Sequence, residues 1–93
     1  MSLESRVETL GALSDPIRLS ILDRLSCHQR CVCELQEDLD IAPNLLSYHL
    51  RILREAGLVE STRRGRWVDY RLADDAGAAV AAALPPPLAE VPA

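Results

Sequence analysis

Cys27, Cys31 and Cys33 fall within seven residues and are the only cysteines in a chain of 93. Thiolates this close can converge on one soft ion or exchange oxidation equivalents. Zn(II) takes four tetrahedral ligands. Three sulfurs with no obvious fourth donor better suit As(III) or Sb(III). Cd(II), Pb(II) and Hg(II) stay open, as does Zn(II) if His28 completes the set. A thiol-redox or sulfide-responsive role for the same cysteines is the competing chemistry. Residues i and i+2 of a regular helix point about 200° apart. Cys31 and Cys33 therefore cannot face one ion from inside one helix: either Cys31 lies ahead of it, or its first turn opens when the ion binds.

A second set of residues lies downstream. Asn44, Ser47, Tyr48, Arg51 and Glu55 repeat at helical spacing and share one face, while Leu46, Leu50 and Leu53 share the opposite one. Asn, Ser, Tyr and Arg side chains can bond base edges or phosphates in a major groove. Asn44, Ser47 and Tyr48 are the base-reading candidates and Arg51 a phosphate contact. His49, beside this face, is either a DNA contact or a packing residue. Arg63, Arg64 and Arg66 surround Gly65 and offer cations to a phosphate backbone or a narrow minor groove. A polar helix face alone is usually only solvated, and an Arg-rich turn alone says little. Their order along the chain makes DNA binding the stronger reading.

The elements that position these groups follow from local signals. Leu3, Val7, Leu10 and Leu13 repeat at helical spacing and mark a short first helix that loosens near Gly11. Asp15-Pro16 caps and starts a second helix to about Ser26. There Ile17, Ile21, Leu22 and Leu25 face the core, and Arg18 and Asp23 face solvent. Residues 27–30 read as a connection. Val32, Leu35 and Leu39 give a short third helix ending near Asp40. Ile41-Ala42-Pro43 forms a turn, and a fourth helix runs to Ala56 with Gly57 as its left-handed cap. Leu58–Arg63 and Trp67–Leu72 then alternate as two strands of a hairpin with Arg64-Gly65 at its tip. Asp74 and Asp75 open an Ala-rich last helix to about Leu84, stopped by three prolines. The fold class expected is mostly α with a β-hairpin wing, a winged helix-turn-helix in residues 1–84, with a disordered Pro-rich tail in residues 85–93.

The formal net charge of −4 runs against phosphate binding until its distribution is considered. Residues 41–72 hold six Arg against three acids, whereas the flanks are acidic. No apolar run of about 18 residues suggests a membrane span, and the first residues lack a secretory signal, so a cytoplasmic location is expected. A thiol enzyme lacks its general base here, so no enzyme and no organic cofactor are expected. A domain this small buries a modest core, which favours a second copy.

Leu13-Ser14-Asp15-Pro16-Ile17-Arg18-Leu19, Cys31-Val32-Cys33-Glu34-Leu35, Ser47-Tyr48-His49-Leu50 with Gly57-Leu58-Val59, and Gly65-Arg66-Trp67-Val68-Asp69-Tyr70-Arg71-Leu72 together resemble the ArsR/SmtB family of metal-sensing repressors over roughly residues 5–73. The resemblance implies a homodimer, through the first and last helices, that binds double-stranded operator DNA and leaves it when an inducer binds. The Cys-Val-Cys-Glu-Leu stretch is similar to the arsenic- and cadmium-sensing branches, which implies As(III) at Cys31 and Cys33. Two departures stand out. The family's arsenite pattern has a further cysteine where this chain has Gln36, so Cys27 becomes the third ligand. The last helix has no histidine, so the family's second metal site is not expected.

Overall fold

Two helix ends are set by caps that the sequence marks, Asp15 and Gly57, whereas Asp75 makes no capping hydrogen bond to the last Ala-rich helix. The computed structural model describes residues 1–90. Its elements in chain order are α1 (Leu3–Leu13), α2 (Pro16–Leu25), β1 (Arg30–Cys31), α3 (Val32–Leu39), α4 (Pro43–Glu55), β2 (Val59–Arg64), β3 (Trp67–Leu72), α5 (Ala76–Ala83) and α6 (Pro86–Ala89). The Asp15 carboxylate accepts the Ile17 and Arg18 amides at 2.9 and 3.1 Å, and Pro16 takes the first helical position. Asp40, left-handed with φ of 48°, ends α3. The Gln36 side chain donates to the Ile41 carbonyl and closes the turn into α4. At the far end of α4, Gly57 has φ of +76°. Leu58 N–H reaches the Leu53 carbonyl and Gly57 N–H the Arg54 carbonyl, a Schellman closure. Its flanking leucines, Leu53 and Leu58, are both buried.

The winged helix-turn-helix is present, with a three-stranded antiparallel sheet of order β1-β3-β2. β2 and β3 pair from Val59↔Leu72 to Arg64↔Trp67, so the turn is Gly65-Arg66, one residue later than expected. Gly65, with φ of 59°, supplies the positive φ that a two-residue hairpin needs at that position. The third strand is a finding the sequence did not suggest. β1 lies in the segment read as a connection, and it pairs Arg30↔Tyr70 and Cys31↔Asp69.

The core runs through Ile21 and Leu25 of α2, Leu35 of α3, Leu46, Leu50 and Leu53 of α4, and Tyr70 of β3. Two helical faces depart from the sequence reading. On α1, Thr9 and Ala12 are buried, while Leu3 and Val7 are 69 and 62 % exposed. α1 instead packs on α5, where Arg6 Nε donates to the Ala83 carbonyl at 3.1 Å. On α2, Arg18 is half-buried, not solvent-facing. The tail expected to be disordered, residues 85–93, is described to Glu90, and Pro86–Ala89 form a single helical turn there. Among the described residues no helix is long and apolar enough to cross a membrane.

Candidate nucleic-acid interface and thiol corner

α4 presents Asn44, Ser47, Tyr48 and Arg51 to solvent on one side and Leu46, Leu50 and Leu53 to the core on the other. Tyr48 is 48 % exposed. His49 is 5 % exposed and faces inward. That position corrects its inclusion among the DNA contacts and selects the packing alternative. Arg18 Nη1 lies 3.1 Å from His49 Nδ1. A guanidinium only donates, so in this contact Nδ1 is the acceptor. The same guanidinium donates through Nε to the Ala12 carbonyl at 2.9 Å and through Nη2 to the Gly11 carbonyl at 3.2 Å. Arg18 thus fastens the C-terminus of α1 to the middle of α4. The Asp15 carboxylate lies 3.9 Å from His49 Nδ1. The Arg18 amide holds the Asp15 carboxyl below its ordinary value, helped by the Ile17 amide and the Arg18 charge and opposed by desolvation.

At the wing, the three arginines are not equivalent. Arg64 makes a two-pronged pair with Asp69, with Nη2 donating to Oδ1 at 3.0 Å. Asp69 is buried on β3. The hydrogen bond from Arg64 lowers the Asp69 carboxyl, and the same bond raises the Arg64 guanidinium. Arg63 and Arg66 have no ion-pair partner among the described residues and keep their charge for a ligand. Arg66 lies over the Trp67 ring at 5.5 Å.

The thiol corner lies beside both. Cys31 is the N-cap of α3, ahead of the helix, the first of the two arrangements that the spacing allowed. Its amide donates to Glu34 Oε1 at 3.1 Å, and the Glu34 amide donates to Cys31 Sγ at 3.2 Å, a capping box with sulfur in the usual hydroxyl position. Cys31 and Cys33 are joined as a disulfide with Cα atoms 5.3 Å apart. Cys27 is a free, exposed cysteine, and His28 is exposed too. Among the described residues no three His, Cys, Asp or Glu side chains come together as a metal-holding group. The structure therefore brings Cys31 and Cys33 together and leaves Cys27 apart. It also adds Asp69 and Glu34 to their surroundings, through the β1–β3 ladder and the capping box. A cleft of about 980 Å³ opens between α3, α4 and β3, lined by Cys33 as well as by Asn44, Ser47, Tyr48 and Arg51. The thiol corner and the reading face share one concave surface.

Comparison with known proteins agrees with the winged fold. A family model described as bacterial regulatory protein, arsR family, matches residues 15–61. The HTH-type transcriptional repressor SmtB of Mycobacterium tuberculosis is 47 % identical over 72 residues, 77 % of this chain and 53 % of that protein. The arsenical resistance operon repressor of Staphylococcus xylosus is 39 % identical over 72 residues, 77 % of this chain and 69 % of that protein. HlyU from Vibrio cholerae has a structure matching with a TM-score of 0.74 at 32 % identity, over 83 % of this chain and 85 % of that one. The chain spans about half the length of the SmtB relative. With the winged fold, the reading helix and these matches in agreement, the chain belongs to the arsR family of bacterial regulatory proteins.

Proposed function

We propose that this chain is a homodimeric, operator-binding transcriptional repressor whose grip on DNA is released by As(III) or Sb(III) at Cys27, Cys31 and Cys33. The observation that carries the reading is the position of Cys31, which caps the helix leading into the turn before α4 and is laddered to the wing strand β3. In their reduced form, two thiols this close supply soft donors suited to a thiophilic ion. The third, Cys27, lies on the segment before β1, so engaging it draws residues 27–30 towards α3 and strains the Cys31↔Asp69 pairing. Asn44, Ser47 and Tyr48 read bases, Arg51 holds phosphate, and Arg63, Arg64 and Arg66 serve the wing, with Arg64 committed first to Asp69. The exposed Leu3 and Val7 of α1, which packs on α5, support the dimer through those two helices. The kinship with an arsenical resistance repressor supports the choice of ion.

A mobility shift on the chain's own upstream region tests this. Arsenite should release wild-type protein, whereas Cys31→Ser and Cys33→Ser proteins should stay bound. Release of those variants at wild-type arsenite concentration refutes the reading. Cd(II), Pb(II), Hg(II) and Zn(II) run in parallel identify a different inducer. The Cys31–Cys33 disulfide supports a second reading, a repressor switched by oxidation or sulfide at the same cysteines. Release by peroxide in the presence of chelator, with a disulfide or polysulfide seen by mass spectrometry, would favour that one.

A further inference from the structure

The two sulfurs of the Cys31–Cys33 disulfide stand in different surroundings. Cys33 is exposed and opens onto the cleft between α3, α4 and β3, whereas Cys31 is 7 % exposed at the N-cap of α3. The cleft wall carries Arg51, Arg54 and Arg66 with the rings of Tyr48 and Trp67 and, among the described residues, no carboxylate. None of these three arginines has an ion-pair partner among the described residues. A cysteine at the end of a cleft with unpaired cationic walls is accessible to a small anion that carries its own thiol.

We propose that Cys33 is a thiolation site for small anionic thiols. The incoming thiolate attacks Cys33 Sγ, and a new S–S bond joins the two. The bond to Cys31 breaks, and its electron pair stays on Cys31 as a thiolate. The incoming sulfur is oxidised and the Cys31 sulfur reduced, so the exchange needs no other oxidant. Two features fix its direction. Only Cys33 is open to attack, and Cys31 Sγ already accepts the Glu34 amide at 3.2 Å. An N-terminal helix position stabilises thiolate and makes the better leaving group. The Glu34 carboxylate, bonded to the Cys31 amide, offsets part of that stabilisation, but the difference in exposure does not depend on it. The adduct occupies the cleft onto which Asn44, Ser47 and Arg51 open, so a thiolated protein loses the reading face. This site starts from the oxidised pair and is independent of arsenite binding, so either proposal can fail alone.

The test treats the full-length disulfide form with reduced glutathione or with cysteamine at equal thiolate concentration, then quenches with acid. Intact-mass measurement and peptide mapping should find one glutathionyl group on Cys33 and a free thiol at Cys31, with the cationic cysteamine several times slower. Arg54→Gln, an exposed change outside any ion pair among the described residues, should slow glutathione by up to about two- to threefold, the order of the Coulomb effect in water of losing one of the cleft's unit charges. It should leave cysteamine no slower. The purified adduct should bind duplex DNA at least about tenfold more weakly than the disulfide form. A first adduct on Cys31 or Cys27, equal rates for the two thiols, reduction with no trapped adduct, or an adduct with undiminished DNA affinity each overturns the proposal.

Discussion

Replacing Arg18 with alanine tests whether one side chain ties the base of α1 to the recognition helix. In the structure its guanidinium serves the Ala12 carbonyl at 2.9 Å, the Gly11 carbonyl at 3.2 Å and His49 Nδ1 at 3.1 Å. Hydrogen bonds from a charged donor contribute about 1.5–3 kcal/mol each when buried. The Gly11 contact is exposed and deserves only a fraction of that. The remaining two are partly buried, and water can replace some of what they lose. A cation at the C-terminus of α1 adds about 0.3–1 kcal/mol through the helix dipole. Set against roughly 2 kcal/mol of side-chain entropy that Arg18 gives up on folding, the net loss on truncation is about 2–4 kcal/mol. Urea unfolding followed by far-ultraviolet circular dichroism, at one fixed protein concentration because a dimer's stability depends on it, measures this. Arg18→Lys should recover less than half, since an ammonium cannot fork to carbonyls on one helix and a ring nitrogen on another. A double-mutant cycle with His49→Ala should give a coupling near 1 kcal/mol. A loss under about 0.5 kcal/mol for Arg18→Ala would place Arg18 among ordinary surface residues and refute the clamp.

Other perturbations separate residues that look alike in the sequence. Arg63→Gln and Arg66→Gln should each reduce the slope of log K against log salt for DNA by about 0.9. Arg64→Gln should change that slope less and instead weaken the wing, because its charge is already spent on Asp69; a slope change at Arg64 equal to that at Arg63 argues otherwise. Asp15 is held below its ordinary 3.8 in the folded state, so the stability it contributes is present above that value and lost as pH falls through the lowered one. Asp15→Asn should therefore flatten the acid side of the stability curve below about pH 4, and an unchanged acid limb in urea titrations at each pH contradicts this. Gly57→Ala should cost about 1–2 kcal/mol from backbone strain alone, since φ is +76° and no atom crowds an added Cβ within 4 Å. A neutral result by thermal unfolding would mean that the Schellman turn relaxes.

What the sequence made legible was the part encoded over short distances. Asp15-Pro16, Gly57 and the alternation from Trp67 to Leu72 are local signals, and each element they mark lies within a residue or two of its expected place. β1 escaped because two residues are too few to carry a period, and its pairing depends wholly on β3. Arg18 escaped because a helical wheel sees only its own helix. The wheel turns Arg18 away from Ile17 and Ile21, and the carbonyls that claim it belong to α1. The apolar residues of α1 misled in the opposite sense: Leu3 and Val7 are spaced for burial, yet both stay exposed among the described residues. The cysteines were legible in part. Helical geometry left Cys31 either ahead of α3 or in a first turn that opens, and no pattern in the sequence shows that Cys27 stays apart.

Cys31 matters because it belongs to three structures at once. It ends β1, caps α3 and bonds to Cys33. A change at its sulfur has two physical routes to the DNA face. One runs through α3, whose Leu35 lies in the same core as Leu46, Leu50 and Leu53 of α4. Close-packed leucines resist displacement, so along this route a change in the first turn of α3 is resisted by the whole core. The other runs across the sheet from Cys31 to Asp69, and from Asp69 to Arg64 in the wing. It passes through a two-residue strand and one exposed arginine, which oppose little. Opening β1 costs few hydrogen bonds, yet it disturbs the buried carboxylate that neutralises a wing arginine. The softer path is the ladder, so the wing should respond to thiol chemistry before the recognition helix does.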